Sequence, residues 1–250
     1  MTINILTLKV GDKYSADYVN NLYKGIERNS SVKFNFYCYT EDSTGLLPDI
    51  NIVTLPDSTK FKKQWHKLIF HKTKFGGIKN DELCLILDID WIIVEDMDPI
   101  LTYQLPKNSI GVFERWWSNR REWCKINGGF QMFWMGDTNY IWEEFIKDPE
   151  YWTEYYVKSG KVDGPVNGEQ NFIEQFSKRK HWLPKEWFAK YHAEDYKKIN
   201  KNWLKENKYG YKEPYMMGGN FADVIKMVHF SNAGNLIHKA KEHWVKDYWY

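Results

Sequence analysis

"LCLILDIDWIIVED" occupies residues 83–96. An unbroken apolar run enters Asp88-Ile89-Asp90, and a second apolar run leaves it. The first run has the length of a strand, and its lack of polar alternation suits a strand buried on both faces of an α/β sheet. Carboxylates beside buried apolar surface are costly unless something partners them. In an extended chain, residues i and i+2 point the same way, so Asp88 and Asp90 are expected to share one side and Ile89 to take the other. At the carboxyl end of a parallel strand, that side is the ligand crevice of an open α/β sheet.

The segments around this stretch support such a sheet. "INILTL" (3–8) reads as a strand. A helix follows, with Ser15 as N-cap and Ala16, Val19, Leu22, Tyr23 and Ile26 on one face. "VKFNFYCYT" (32–40) and "INIVTL" (50–55) read as strands, and "KFKKQWHKLIFHKTKF" (60–75) as a helix ended by Gly76-Gly77. The fourth strand is 83–89. This order implies an α/β fold with a mixed, mostly parallel, Rossmann-like sheet flanked by helices. Farther on, 109–114, 128–134 and 224–230 read as strands, and 139–148 and 168–178 as helices. The stretch 180–220 carries no assignable pattern. Neither a repeat nor a clear linker interrupts the chain. One domain over 1–250 is expected, with a nucleotide-binding half (1–105) and a less regular half (106–250) that completes a cleft and ends in a C-terminal helix.

The composition narrows the classes. The chain has 250 residues, 43% hydrophobic and 27% charged, which suits a globular fold. The formal net charge of +2 gives no reason to expect a nucleic-acid binder. No run approaches the ~20 apolar residues of a membrane span. The N-terminus lacks the features of a signal peptide, and cytoplasmic localisation is the default expectation. Three scattered cysteines, Cys38, Cys84 and Cys124, form neither a disulfide framework nor a metal motif and read as buried thiols. Aromatic residues reach 18%, with 13 Trp, which suits a large aromatic core with a partner surface and is compatible with sugar stacking. The C-terminal "HKAKEHWVKDYWY" (238–250) alternates bases with aromatics. It is expected to pack as a helix onto the domain, with peripheral membrane contact as the other option.

Two carboxylates side by side repel each other unless a cation sits between them or a proton is shared. A hard divalent ion, Mn²⁺ or Mg²⁺, suits oxygen ligands and commonly bridges carboxylates to phosphate oxygens. The chemistry expected of Asp88 and Asp90 is therefore a metal–diphosphate clamp. A solvated strand end is the plain alternative. A D-x-D at a strand end also occurs in haloacid dehalogenase-like phosphatases, where the first Asp is the nucleophile. There it ends the first strand, whereas here it ends about the fourth.

Taken together, the segments resemble the GT-A fold glycosyltransferases, most closely the glycogenin-like family 8 and its relatives. "ILTLKVGDKYSADYVNNLYKGI" (5–26) is similar to the family's opening strand, loop and helix, which implies that Thr7, Leu8 and Tyr14 seat the nucleobase. "QWHKLIF" (64–70) matches the helix whose cation touches the donor, here Lys67. "LILDIDWIIVEDMDPIL" (85–101) resembles the metal motif and the segment after it, with Ile89 at the nucleotide. "INGGFQMFW" (126–134) resembles the Asn-x-Gly strand, which implies that Asn127, Gly128 and Gly129 line the sugar site. "GEQNFI" (168–173) stands where the family has Asp-Gln. Glu169 would act on the acceptor hydroxyl and Gln170 would bind sugar, while Glu169 could equally be a first-turn helix charge. "MVHFSNAGN" (227–235) resembles the loop whose His is the third metal ligand, here His229, with Asn232 and Gly234 at the diphosphate. The family's Lys-Pro-Trp after that His is missing, which leaves the phosphate-binding lysine open between Lys239 and Lys241, or absent.

The resemblance implies a metal-dependent glycosyltransferase that moves a sugar from a nucleoside-diphosphate sugar, a UDP-sugar first, to a carbohydrate acceptor, with Lys67 and Glu169 as its catalytic pair. A catalytically silent nucleotide- or carbohydrate-binding module of the same fold and a D-x-D phosphatase are the alternatives.

Overall fold

A computed structural model describes residues 2–116, 118, 122–162, 168–191, 225–230, 236–240 and 243–250. The strands are β1 (Ile3–Lys9), β2 (Phe34–Thr40), β3 (Asn51–Thr54), β4 (Leu83–Leu87), β5 (Trp91–Ile93), β6 (Ile110–Val112), β7 (Phe130–Trp134), β8 (Lys180–Trp182), β9 (Phe188–Lys190) and β10 (Met227–His229). The helices are α1 (Ala16–Arg28), α2 (Asp98–Leu101), α3 (Asn139–Phe145), α4 (Pro149–Lys158), α5 (Glu169–Phe176) and α6 (His243–Trp249). Seven strands form the main sheet in the order β3-β2-β1-β4-β7-β6-β8, and β5-β10-β9 form a small second sheet. In the main sheet β3, β2, β1 and β4 run parallel, β7 is antiparallel to β4 and β6, and β8 is parallel to β6. The mixed, mostly parallel α/β sheet expected from the sequence is present.

β4 sits at the centre for the reason its sequence gives. All five residues of "LCLIL" are buried. Leu83, Leu85 and Leu87 enter one core cluster with α1, β5 and β10, while Cys84 and Ile86 enter another on the opposite face, under the 63–71 segment. A third cluster, built on Trp65, Phe145, Tyr156 and Phe172, lies beneath α3 and α5. Cys38, Cys84 and Cys124 each fall in a different cluster. Much of the aromatic content is core: Phe113 and Phe188 stack at 3.8 Å, and Tyr191 and Phe230 at 4.1 Å. In α6, Trp244, Val245 and Trp249 are buried, and Trp249 meets Tyr18 of α1 edge-on at 5.1 Å. The C-terminal segment therefore packs on the protein, as expected. Among the described residues, no helix is long and apolar enough to cross a membrane.

Three expectations change. The segment 60–75 is not one α-helix but a 3-10 helix, Lys63–His71, followed by a left-handed Lys74 and a short turn, Phe75–Gly77. Its apolar residues are buried on more than one side, beneath β1, α3 and α5, so packing rather than an amphipathic stripe decides its form. β4 ends at Leu87, one residue before the acid pair, so Asp88-Ile89-Asp90 is a turn into β5 rather than extended strand. Of the unassigned 180–220 stretch, β8 and β9 are strands of three residues, too short to show a period; 192–220 lies outside the described residues.

Candidate functional site

The turn after β4 sets the site. Ile89 is only 4% exposed and belongs to the main core, which anchors the turn, while the acids on either side of it are partly buried. The convergence of Asp88 and Asp90 is thus a property of a tight turn pinned by a buried Ile, not of strand alternation. Ile89 can meet a ligand only through its backbone.

Directly after the turn, β5 pairs antiparallel with β10, and the register sets His229 opposite Trp91. The Phe230 N–H donates to the Asp90 carbonyl at 2.9 Å, which ties the acid turn to the histidine strand. Trp91 was not singled out from the sequence, although its place next to the acid pair is the available signal. It is fully buried, its indole N–H donates to the Gly129 carbonyl at 2.8 Å, and its ring stacks on His229 at 4.3 Å and 15°. It is a platform that fixes the imidazole plane.

Asp88, Asp90 and His229 each place a ligand atom within 4.8 Å of the others. His229 Nε2 meets Asp90 Oδ1 at 3.0 Å, and Asn127 Nδ2 meets His229 Nδ1 at 3.1 Å. The Gly129 N–H donates to Asn127 Oδ1 at 2.7 Å, so the amide has its oxygen toward Gly129 and its NH₂ toward the histidine. His229 therefore accepts at Nδ1 and carries its proton on Nε2, facing Asp90. Burial works to raise the Asp90 pKa, but the adjacent His229 and its hydrogen bond, with Lys13 and Lys67 behind them, hold the carboxyl below its ordinary value.

Lys67 lies on the other side of the pair. It is 3% exposed, and its ammonium donates to Asp88 Oδ1 at 2.8 Å, lies 3.2 Å from Glu169 Oε1, and donates to the Gly128 carbonyl at 3.2 Å. Burial would lower its pKa, but Asp88 and Glu169 outweigh burial and hold the ammonium above the ordinary lysine range. Lys67 is thus engaged by protein atoms rather than left in solvent. Glu169 is the first residue of α5 and 6% exposed, yet its carboxylate turns to Lys67. Two carboxylates, Asp88 and Glu169, share the one buried ammonium and Asp90 adds a third beside His229, which fits a hard divalent cation at the Asp88–Asp90–His229 corner.

The glycines serve the protein's own packing. A Cβ on Gly129 would stand 2.6 Å from Asp88 Oδ2, and one on Gly128 would stand 2.7 Å from Gln170 Cβ and 2.9 Å from Glu169 Oε1. Asp88 and α5 thus crowd the places where a side chain would stand at both positions. Gln170 accepts from the Gly128 N–H at 3.3 Å. Asn127, 6% exposed and bonded at both ends of its amide, organises His229 and Gly129.

On the nucleotide side, Thr7 is fully buried and its hydroxyl donates to the Leu87 carbonyl at 2.8 Å, so its side chain joins β1 to β4 instead of facing the crevice. Leu8 is half-buried at the end of β1. Tyr14 lies against the acid pair: burial first, then the Asp90 and Asp88 carboxylates, push its pKa above the ordinary tyrosine value. Beyond it an open groove of about 540 Å³ runs past Lys9, Gly11, Tyr14, Glu41 and Asp42 at the carboxyl ends of β1 and β2. His66 and His71 are both buried. Lys239 is exposed; Asn232, Gly234 and Lys241 lie outside the described residues.

This architecture is the GT-A type of fold found in glycosyltransferases. A galactosyltransferase, LgtC, solved with donor and acceptor sugar analogues, superposes with a TM-score of 0.62 over 98% of this chain and 93% of its own, at 12% identity. The glycosyltransferase GlyE of Streptococcus pneumoniae TIGR4 gives 0.61 over 98% of this chain and 59% of its own, at 13% identity. Mouse xyloside xylosyltransferase 1 gives 0.52 over 94% and 99%, at 11% identity. No protein-family model and no curated protein matches the sequence.

Proposed function

We propose that the chain is a metal-dependent glycosyltransferase that takes a sugar from a nucleoside-diphosphate donor, a UDP-sugar first, to a hydroxyl of a carbohydrate acceptor. The observation that carries this reading is the convergence of Asp88, Asp90 and His229 within 4.8 Å. It lies at the carboxyl end of β4 in a fold shared with glycosyltransferases. The chain is read as one catalytic unit, with residues 1–105 on the donor side and 106–250 on the acceptor side.

Asp88, Asp90 and His229 would hold Mn²⁺ or Mg²⁺, which supplies a Lewis acid where charge develops on the departing diphosphate. Tyr14 offers its ring to the base beside the groove, and the backbone of Thr7, Leu8 and Ile89 faces the nucleoside. Lys67 holds Asp88 and Glu169 in position, and so acts on the donor through them. Glu169 and Gln170, at the start of α5, face the transferred sugar and the acceptor hydroxyl. Asn127 orients His229, and Asn232 and Gly234 are assigned to the diphosphate.

The test is a screen of nucleotide sugars for release of the nucleoside diphosphate in the presence of Mn²⁺. UDP or GDP release that is lost in Asp90→Ala supports the reading. Nucleotide binding without turnover assigns the chain to the silent module instead. Absence of both binding and release from every donor refutes the proposal.

A further inference from the structure

His71 and Gln131 are fully buried polar residues with no part in the chemistry proposed above. They stand behind the site, His71 at the end of the 3-10 helix that carries Lys67 and Gln131 in β7, just after the two glycines. His71 Nε2 lies 3.0 Å from Gln131 Oε1, and Gln131 Nε2 donates to the Gly128 carbonyl at 3.0 Å. At the far end, His71 Nδ1 lies 2.9 Å from the hydroxyl of Thr138, the N-cap of α3. The bond to Gly128 fixes the sense of the whole line. With the Gln131 NH₂ toward Gly128, its oxygen faces the ring, so His71 donates from Nε2 and accepts at Nδ1 from Thr138. Burial lowers the His71 pKa, which keeps the ring neutral and in this tautomer near neutral pH.

The Gly128 carbonyl is where this line meets the site. It accepts from Gln131 and from the Lys67 ammonium, and the Gly128 N–H donates to Gln170 at the start of α5. The next carbonyl, that of Gly129, accepts from the Asp88 N–H at 3.0 Å. The 3-10 helix is thereby tied to this segment twice, at Lys67 and at His71. A pair of apolar side chains would fill the same space without the cost of burying polar groups. What the polar line adds is direction. It sets where the Gly128 carbonyl points, and hence where the Lys67 ammonium rests between Asp88 and Glu169.

We propose that His71 and Gln131 are positioning residues for sugar transfer, a buried brace that holds the Gly128 carbonyl and, through it, the Lys67 ammonium between Asp88 and Glu169. The brace rests on the glycosyltransferase reading above. It touches neither donor nor acceptor. It acts by keeping the two carboxylates in register with the reacting groups, where a displacement on the order of 1 Å lowers the rate of the chemical step. Because the open groove beside Tyr14 lies outside the brace, donor binding is left intact when the brace is cut.

The test is steady-state kinetics of the whole protein with Mn²⁺ near neutral pH, on the nucleotide sugar that the wild type cleaves fastest, read as release of the nucleoside diphosphate. The variants are His71→Asn, His71→Gln, Gln131→Met and the double variant His71→Asn/Gln131→Met. An Asn amide takes the place of Nδ1 and keeps the contact with Thr138, whereas a Gln amide takes the place of Nε2 and keeps the donor to Gln131. In His71→Asn and Gln131→Met, kcat is expected to fall about ten- to hundredfold with KM nearly unchanged. His71→Gln is expected to keep most of the wild-type kcat. The double variant is expected to lose no more than Gln131→Met alone, because both changes cut one line. Urea midpoints separate this from loss of stability, since the Asn and Gln variants each forfeit one of two hydrogen bonds and are expected to be destabilised alike. Equal kcat in the Asn and Gln variants, an unchanged kcat in Gln131→Met, or additive losses in the double variant would show core packing alone and overturn the brace, with the functional reading intact. Should Gln131→Met fail to fold, the two His71 variants decide the matter. If the wild type cleaves no nucleotide sugar, the functional reading falls and the brace with it.

Discussion

At the scale of single residues, Lys67 has the most far-reaching position in the site, because Asp88 and Glu169 share its charge. Lys67→Met leaves both carboxylates without their cation. The expected loss is about 3 kcal/mol in urea unfolding, the low end for a broken buried pair, since 30% of the Asp88 side chain still reaches water. Added Mn²⁺ should restore part of that stability, and a variant with wild-type stability without metal would show that the triad is not a unit. Gly129 has a different role. A methyl group there would overlap Asp88 Oδ2, so Gly129→Ala must move the carboxylate. Mn²⁺ affinity is expected to fall about tenfold or more, as for other changes behind a metal ligand, which calorimetry would measure directly. These partnerships were not legible in the sequence. Lys67, Asp88, Gly128 and Glu169 are far apart in the chain, and no local pattern tells whether an ammonium faces a ligand or two carboxylates. The sequence does mark Asp88, Asp90 and His229 as a set, through the likeness of their segments to one fold.

At the scale of elements, the 3-10 helix Lys63–His71 gives the protein a pH dependence of its own. His71 is fully buried, with Nδ1 2.9 Å from the Thr138 hydroxyl and Nε2 3.0 Å from Gln131 Oε1. Burial lowers its pKa to about 4, against the opposing effect of the Gln131 hydrogen bond. In the unfolded chain it titrates near 6.5. Above that pH both states hold it neutral, and its contribution to stability is complete. As the pH falls from 6.5 toward 4, the unfolded chain takes up a proton that the folded chain refuses. About 3 kcal/mol is expected to be lost across that window. Urea midpoints measured from pH 7 to pH 4 check this, with His71→Asn expected to flatten the fall. The elements read from sequence are those with a clear period or apolar run: β1, α1, β2, β3, β4, β6, β7, α3, α5 and β10. β5, β8 and β9, at three residues each, owe their existence to pairing with distant strands, and α4 was missed beside α5.

At the scale of the whole molecule, the Asp88–Asp90–His229 corner joins segments 139 residues apart, from the turn after β4 to the end of β10. A cation bound there must stabilise the fold as a whole, since the unfolded chain cannot assemble the set. Mn²⁺ at a hundred times its dissociation constant is expected to add about 2.7 kcal/mol, seen as a higher midpoint of unfolding. The gain should vanish with EDTA and be absent in Asp90→Asn. The strands β1 to β4 were readable because each carries its own signal, whereas their order in the sheet, β3-β2-β1-β4, was not. Nor was the small sheet that positions His229, because its register exists only once the chain has closed on itself.

Each of the three core clusters encloses one thiol. Burial pushes Cys38 up to about 12 and Cys84 and Cys124 higher still, so in the folded state none offers a thiolate. The protein thereby carries three internal timers. Each thiol can react only when its own cluster opens, and pulsed alkylation followed by peptide mass analysis reads the three openings separately. Simultaneous labelling at Cys38, Cys84 and Cys124 would show a molecule that comes apart at once. Earlier labelling at Cys124 would show the α3–α5 side loosening while the sheet that bears the acids stays closed.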